Sequence, residues 1–148
     1  MAYSDILRQE TADFNDVADL IDALEGETTS GTWSPTYTGF SADPTTLICR
    51  YSRIGQFCTV YYRAFPHGTS NTTGFTITAP FTAATVANAL WGVSGLSIYN
   101  SGTLAYTGNA YIVSAGTTIT IERDSAGTAW TNSGTKGVNY FQFTYQVA

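Results

Sequence analysis

Charge is what this chain has least of. Asp, Glu, Lys and Arg make up 11% of its 148 residues, against roughly 25% in an average soluble protein. Solubility must then rest on hydroxyls, amides and backbone. Histidine occurs once and cysteine twice, too few for a disulfide scaffold or a Cys/His zinc site. No apolar run approaches the ~18 residues that a membrane span needs. No basic segment followed by an apolar core opens the chain, so a signal peptide is not expected, and the protein is expected to be made in a cytoplasm. Also missing are a phosphate-cradling glycine loop before a helix, a nucleophile elbow and a basic patch, which argues against nucleotide, hydrolase and nucleic-acid functions.

What is present divides near Gly26. Residues 1–27 hold eight of the eleven acids, one base (Arg8) and one of the 25 threonines. Residues 28–148 hold the other 24 threonines and thirteen of the fourteen glycines, with three acids and five bases. The two pieces therefore carry −7 and +2, which recovers the overall −5. Such an asymmetry reads as an acidic N-terminal anchor (1–27) and a β-sandwich head (28–148).

The spacing predicts a helix over 4–25. Ser4 can cap it, with Asp5 in the first turn, and no Gly or Pro interrupts before Gly26. Leu7, Phe14 and Ile21 fall at one heptad position and Tyr3, Glu10, Val17 and Leu24 at the other, a seam with one polar intruder that makes a marginal coiled coil alone. Leu7, Phe14, Val17, Ile21 and Leu24 are the residues expected to anchor or oligomerise the chain. The plain alternative is an amphipathic helix packed on its own domain. Asp13, Asp16, Asp19 and Asp22 flank the seam, so a basic or polar partner surface is expected.

Past Gly31 the period becomes two. Phe75, Ile77 and Ala79 alternate with threonines, Ile119 and Ile121 with Thr118, Thr120 and Glu122, and Phe141, Phe143, Tyr145 and Val147 with Gln142, Thr144 and Gln146. These are half-buried strands. Residues 57–65 are apolar on both faces: Cys58, Val60, Tyr62 and Ala64 on one, Phe57, Tyr61 and Phe65 on the other. Such a strand belongs in a sandwich centre or at a subunit contact. Turn signals recur at Gly68, Gly74, Gly95, Asn100-Ser101-Gly102, Gly108-Asn109, Gly116, Gly127 and Asn132-Ser133-Gly134. About eight short strands at this spacing predict an all-β, jelly-roll-like sandwich.

Few residues offer chemistry. His67 follows Pro66 in a Pro-His-Gly turn and reads as a solvated loop residue. Glu122 and Asp124 would share one strand face about 7 Å apart, within the range for inverting glycoside hydrolysis, but an exposed strand end before a turn explains them better. No catalytic residue, metal site or cofactor is expected. Cys49 and Cys58 flank a segment that could form a hairpin, and read as two small buried hydrophobes rather than a disulfide. Arg50, Arg53 and Arg63 gather on the same hairpin, where an acidic helix of a neighbour would suit them as well as a ligand. Sugars are gripped by aromatic faces with hydroxyl or amide hydrogen bonds, so Trp130, Trp91 and Tyr106 are the candidate ligand-binding residues, with Trp130 the leading exposed one. Trp33 reads as structural.

Five fragments carry a family likeness: Gly31-Thr32-Trp33-Ser34-Pro35, Arg50-Tyr51-Ser52-Arg53-Ile54-Gly55, Gly68-Thr69-Ser70, Ile77-Thr78-Ala79-Pro80-Phe81-Thr82-Ala83 and Phe143-Thr144-Tyr145. In this order over residues 31–148 they resemble the C-terminal domain of tailed-bacteriophage fibre and spike proteins. Cys49 stands where that pattern has Gly, and Ala79 where it has Leu. The resemblance implies a homotrimer of β-sandwiches at the tip of a fibre or spike, displayed on a virion, and the N-terminal helix is expected to dock it on another virion protein. That helix would span only about 37 Å. A short tail fibre with a receptor-binding head is the first expectation, the receptor being a host-surface glycan or protein. A capsid decoration or head-fibre protein is the alternative, and a polysaccharide-degrading spike the third.

Overall fold

The computed structural model describes residues 28–148. The expected helix over 4–25 and its anchor residues Leu7, Phe14, Val17, Ile21 and Leu24 lie outside the described residues. Within them the secondary structure is all strand: β1 (Thr28–Thr32), β2 (Tyr37–Thr38), β3 (Phe40–Ala42), β4 (Thr46–Ile54), β5 (Phe57–Ala64), β6 (Gly68–Ser70), β7 (Thr76–Thr78), β8 (Leu90–Asn100), β9 (Thr103–Val113), β10 (Thr118–Glu122), β11 (Thr135–Val138) and β12 (Tyr140–Gln146). They form a four-stranded sheet in the order β1-β4-β5-β12 and an eight-stranded sheet in the order β2-β7-β10-β9-β8-β11-β6-β3. Every pairing is antiparallel. The two sheets close on one core, as in a sandwich or barrel. No helix among the described residues is long and apolar enough to cross a membrane.

The two-residue period places the core. β5 and β12 send Cys58, Val60, Tyr62, Phe141, Phe143 and Tyr145 inward, and they meet Ile98 of β8, Ile112 of β9, and Ile119 and Ile121 of β10. Tyr62 stacks on Phe141 with ring centroids 4.9 Å apart. Its phenol donates to the Tyr37 oxygen at 3.2 Å, and that of Tyr145 to the Phe81 carbonyl at 2.9 Å. Buried aromatics thus keep their polar ends satisfied, while burial pushes both phenols well above their ordinary pKa.

Glycine positions separate the observed strands from the expected ones. Ser101 and Gly102, both at positive φ (47° and 87°), make the two-residue turn between β8 and β9, as a type I′ hairpin requires. Gly95 and Gly108 mark no turn, contrary to expectation. Both lie inside eleven-residue strands, and Gly95, at φ 75°, sits where the β8–β9 register shifts between Ser94 and Leu96. Glycine serves bulges and close approaches as well as turns, so β8 and β9 run on through these positions, and the described residues form twelve strands where about eight were expected.

The cysteines stand as expected, free and buried. The hairpin register explains why they do not bond: Ile54 pairs with Phe57, so Cys49 faces Tyr62 and Cys58 faces Arg53. The sulfurs are therefore several residues apart along the ladder. Burial pushes the Cys49 thiol up to about 12.

Candidate functional site

Each of the two sheets carries a groove on its outward face. On the four-stranded sheet, the residues opposite the core are Ile48, Arg50, Ser52 and Ile54 of β4, Phe57, Thr59, Tyr61 and Arg63 of β5, and Tyr140, Gln142 and Thr144 of β12. Ile54 and Phe57 face each other across the hairpin, 61% and 57% exposed. The apolar second face of β5, read from the sequence, is therefore left partly open by the described residues. Ser30 and Thr32 of β1, with Ile48, Arg50, Tyr61 and Tyr140, border a shallow groove on it. None of the three carboxylates of residues 28–148 lies on these four strands. Arg53 points the other way, 5.3 Å from the Phe81 ring centroid, with Nε donating to the Gly55 carbonyl at 2.8 Å. The three arginines thus split into an outward pair and one tied into the core edge.

On the eight-stranded sheet, β8, β9 and β10 shape a second groove of about 460 Å³, lined by Leu90, Gly92, Val93, Ser94, Asn109, Ala110, Tyr111 and Glu122. Cross-strand register puts its polar groups side by side. Asn109 lies between Ser94 of β8 and Glu122 of β10, and Tyr111 between Gly92 and Thr120. The Tyr111 phenol donates to Glu122 Oε1 at 3.0 Å. Partial burial and the neighbouring carboxylate raise the Tyr111 pKa, so the phenol keeps its proton and remains a donor at neutral pH.

The aromatic candidates are distributed differently from expectation. Trp130 is not exposed: it is 3% accessible, its indole N–H donates to the Ile121 carbonyl at 2.9 Å, and its ring meets Phe75 edge-on. A buried indole with its one donor satisfied is core material, so the reading of Trp130 as a ligand contact is corrected. Trp91 is half-buried and packs against the core from β8. Tyr106 is 70% exposed on β9, outside the groove lining. Trp33 is structural, donating to the Thr78 carbonyl at 3.0 Å.

His67 is likewise no solvated loop residue. It stacks on Tyr99 with centroids 4.9 Å apart, its Nε2 lies 2.8 Å from Asn139 Oδ1, and it fills the space where Gly137 has no Cβ. The two carboxylates once paired by spacing are used separately. β10 ends at Glu122, and Asp124 accepts the amides of Ala126 at 3.0 Å and Thr128 at 2.9 Å. The Thr128 side chain, together with these amides, holds its carboxyl below the ordinary value. Among the described residues, no three of His, Cys, Asp and Glu gather as a metal site would need. Sequence reading missed the Tyr111–Glu122 groove because it depends on the β8–β10 register. The alternation of Tyr111 and Asn109 on one face was the only signal available. No family model matches the chain, and no characterised protein is found as its relative.

Proposed function

We propose that this protein is a structural component of a tailed-bacteriophage virion: a homotrimeric, jelly-roll-like head of a short tail fibre that binds the host surface and is fixed to the particle through residues 1–27. The observation that carries this reading is the outward face of the four-stranded sheet. Exposed apolar patches rimmed by polar groups mark contact surfaces, and here Ile54, Phe57 and Tyr140 stand out of a sheet face whose charges among the described residues are cationic, at Arg50 and Arg63. Copies packed through this face would cover the second apolar side of β5. The acidic stretch of a neighbour, with eight acids against one base, would meet the two arginines with opposite charge. The five sequence fragments and their order support the same family.

Sedimentation equilibrium tests the assembly. The full chain should run at three times its 15.9 kDa mass, and Phe57→Asp combined with Ile54→Asp should reduce it to single copies that still fold. A wild-type monomer at micromolar concentration overturns the reading. Removing residues 1–27 should leave a folded head that no longer joins particles. The same face would also serve a decoration protein on a capsid, and a particle reconstruction that places the head at tail or capsid separates the two.

A further inference from the structure

We propose that the groove across β8, β9 and β10 is a binding site for a neutral saccharide unit, with Tyr111 as the stacking platform and Glu122 as the principal hydrogen-bond acceptor. This rests on the host-binding reading above and specifies its ligand, but it is tested apart from assembly. The opening of about 460 Å³ lies in the size range of small-molecule sites.

The arrangement of Tyr111 comes first. The residue opposite it on β8 is Gly92, so no cross-strand side chain covers the ring from that side. The close approach is enforced, because a Cβ on Gly92 would strike the Ala110 carbonyl oxygen and Tyr111 Cβ. The phenol is drawn toward β10 by its bond to Glu122, which fixes the direction of the side chain. A tyrosine held by its hydroxyl with an uncovered face offers the apolar platform on which the C–H face of a sugar ring lies.

The polar groups supply the rest. Glu122 spends Oε1 on Tyr111, which leaves Oε2 as an acceptor for sugar hydroxyls, and bonds to an ionised acceptor are the stronger kind. Asn109 and Ser94, adjacent on the same face, make no side-chain hydrogen bond among the described residues. Asn100 and Asn139, by contrast, have their side chains engaged with Thr131 and with Ser97 and His67. An amide, a hydroxyl and a carboxylate oxygen therefore converge beside one aromatic face. The lining contains one anion and no cation, which disfavours phosphorylated or acidic sugars and selects neutral ones.

Saturation-transfer NMR on the full chain provides the test, with methyl glycosides of glucose, galactose and N-acetylglucosamine as probes and methyl glucuronide as the acidic counterpart. At least one neutral glycoside should bind and the glucuronide should not. Tyr111→Ala and Glu122→Gln should each weaken binding about tenfold or more, and Tyr106→Ala should leave it unchanged. Thermal unfolding of each variant confirms the fold, and Tyr111→Phe, which keeps the ring but frees Glu122, should weaken binding less than Tyr111→Ala. The proposal is overturned if no neutral glycoside binds, if only the glucuronide binds, or if folded Tyr111→Ala and Glu122→Gln bind as wild type. Failure here would leave a trimer on the particle untouched, whereas glycoside binding by a monomer absent from virions would sink the assembly reading alone.

Discussion

Lys136, the chain's only lysine, is completely buried, and among the described residues it has no ion pair. Its ammonium donates to the carbonyls of Thr72 at 2.7 Å and of Gly74, and lies 5.0 Å from the Phe40 ring centroid. Carbonyl dipoles and a ring face replace water incompletely, and burial lowers its pKa from 10.5 to about 8. Between those values the unfolded chain binds the extra proton, so this residue's contribution to stability grows as pH rises from about 8 toward 10.5. The two buried thiols act oppositely: their pKa values are raised from 9.0, so they cost stability as pH climbs past 9. Wild type alone would show little net slope. Compared with Lys136→Met, however, wild type should gain about 1 kcal/mol of unfolding free energy from pH 8 to pH 9, read from urea titrations at each pH. An equal pH response in both proteins would show that the ammonium is solvated. Nothing in the sequence marked Lys136 as buried, because its partners lie more than sixty positions away. The same distance problem hid Trp130, which a stretch rich in Gly, Ser and Thr made look exposed. By contrast Arg50 and Arg53, three positions apart, had to face opposite sides of one strand, so their separation was legible from the period alone.

Strand-length alternation carried the element scale. Residues 75–77, 119–121 and 141–147 bury the side chains that their two-residue pattern selects, because a one-residue slip would turn every apolar group outward. Glycine was the weak signal, since one residue type serves turns, bulges and tight packing alike. Gly108 shows the last use: it sits opposite Leu96, and a Cβ there would run into Ile98 Cγ2. Ile98 is buried between the sheets and cannot retreat. Gly108→Ala should therefore cost about 1–3 kcal/mol, while Gly74→Ala, where an added Cβ meets nothing within 4 Å, should change stability by less than about 1 kcal/mol. Denaturant midpoints measured side by side would decide it, and equal costs would mean that β8 and β9 can spread at that point.

For the whole molecule, the all-β frame was readable from composition and period, and the grooves were not. One groove joins strands distant in sequence, β1, β4, β5 and β12, and the other depends on the register among the consecutive strands β8, β9 and β10, neither of which a local pattern encodes. The order of strands has a further effect on how the protein comes into being. β12 is the last of the described strands in chain order, yet it pairs with β5 along seven residues and puts Phe141, Phe143 and Tyr145 into the core. Beyond it, the amide of Val147 donates to the Gln56 carbonyl at 2.8 Å and that of Ala148 to Thr82 at 3.1 Å. Removing residues 140–148 should abolish cooperative thermal unfolding in calorimetry, since the inward face of β5 would lose the strand that covers its flank. A cooperative transition in that truncated protein would show that the sheets close without it. The ribosome thus makes β4 and β5 long before their last neighbour exists, and the inward side of that hairpin stays wet until residues 140–147 emerge. Interrupted translation before β12 would leave a sticky, unpaired strand edge on β5 for chaperones and proteases to find.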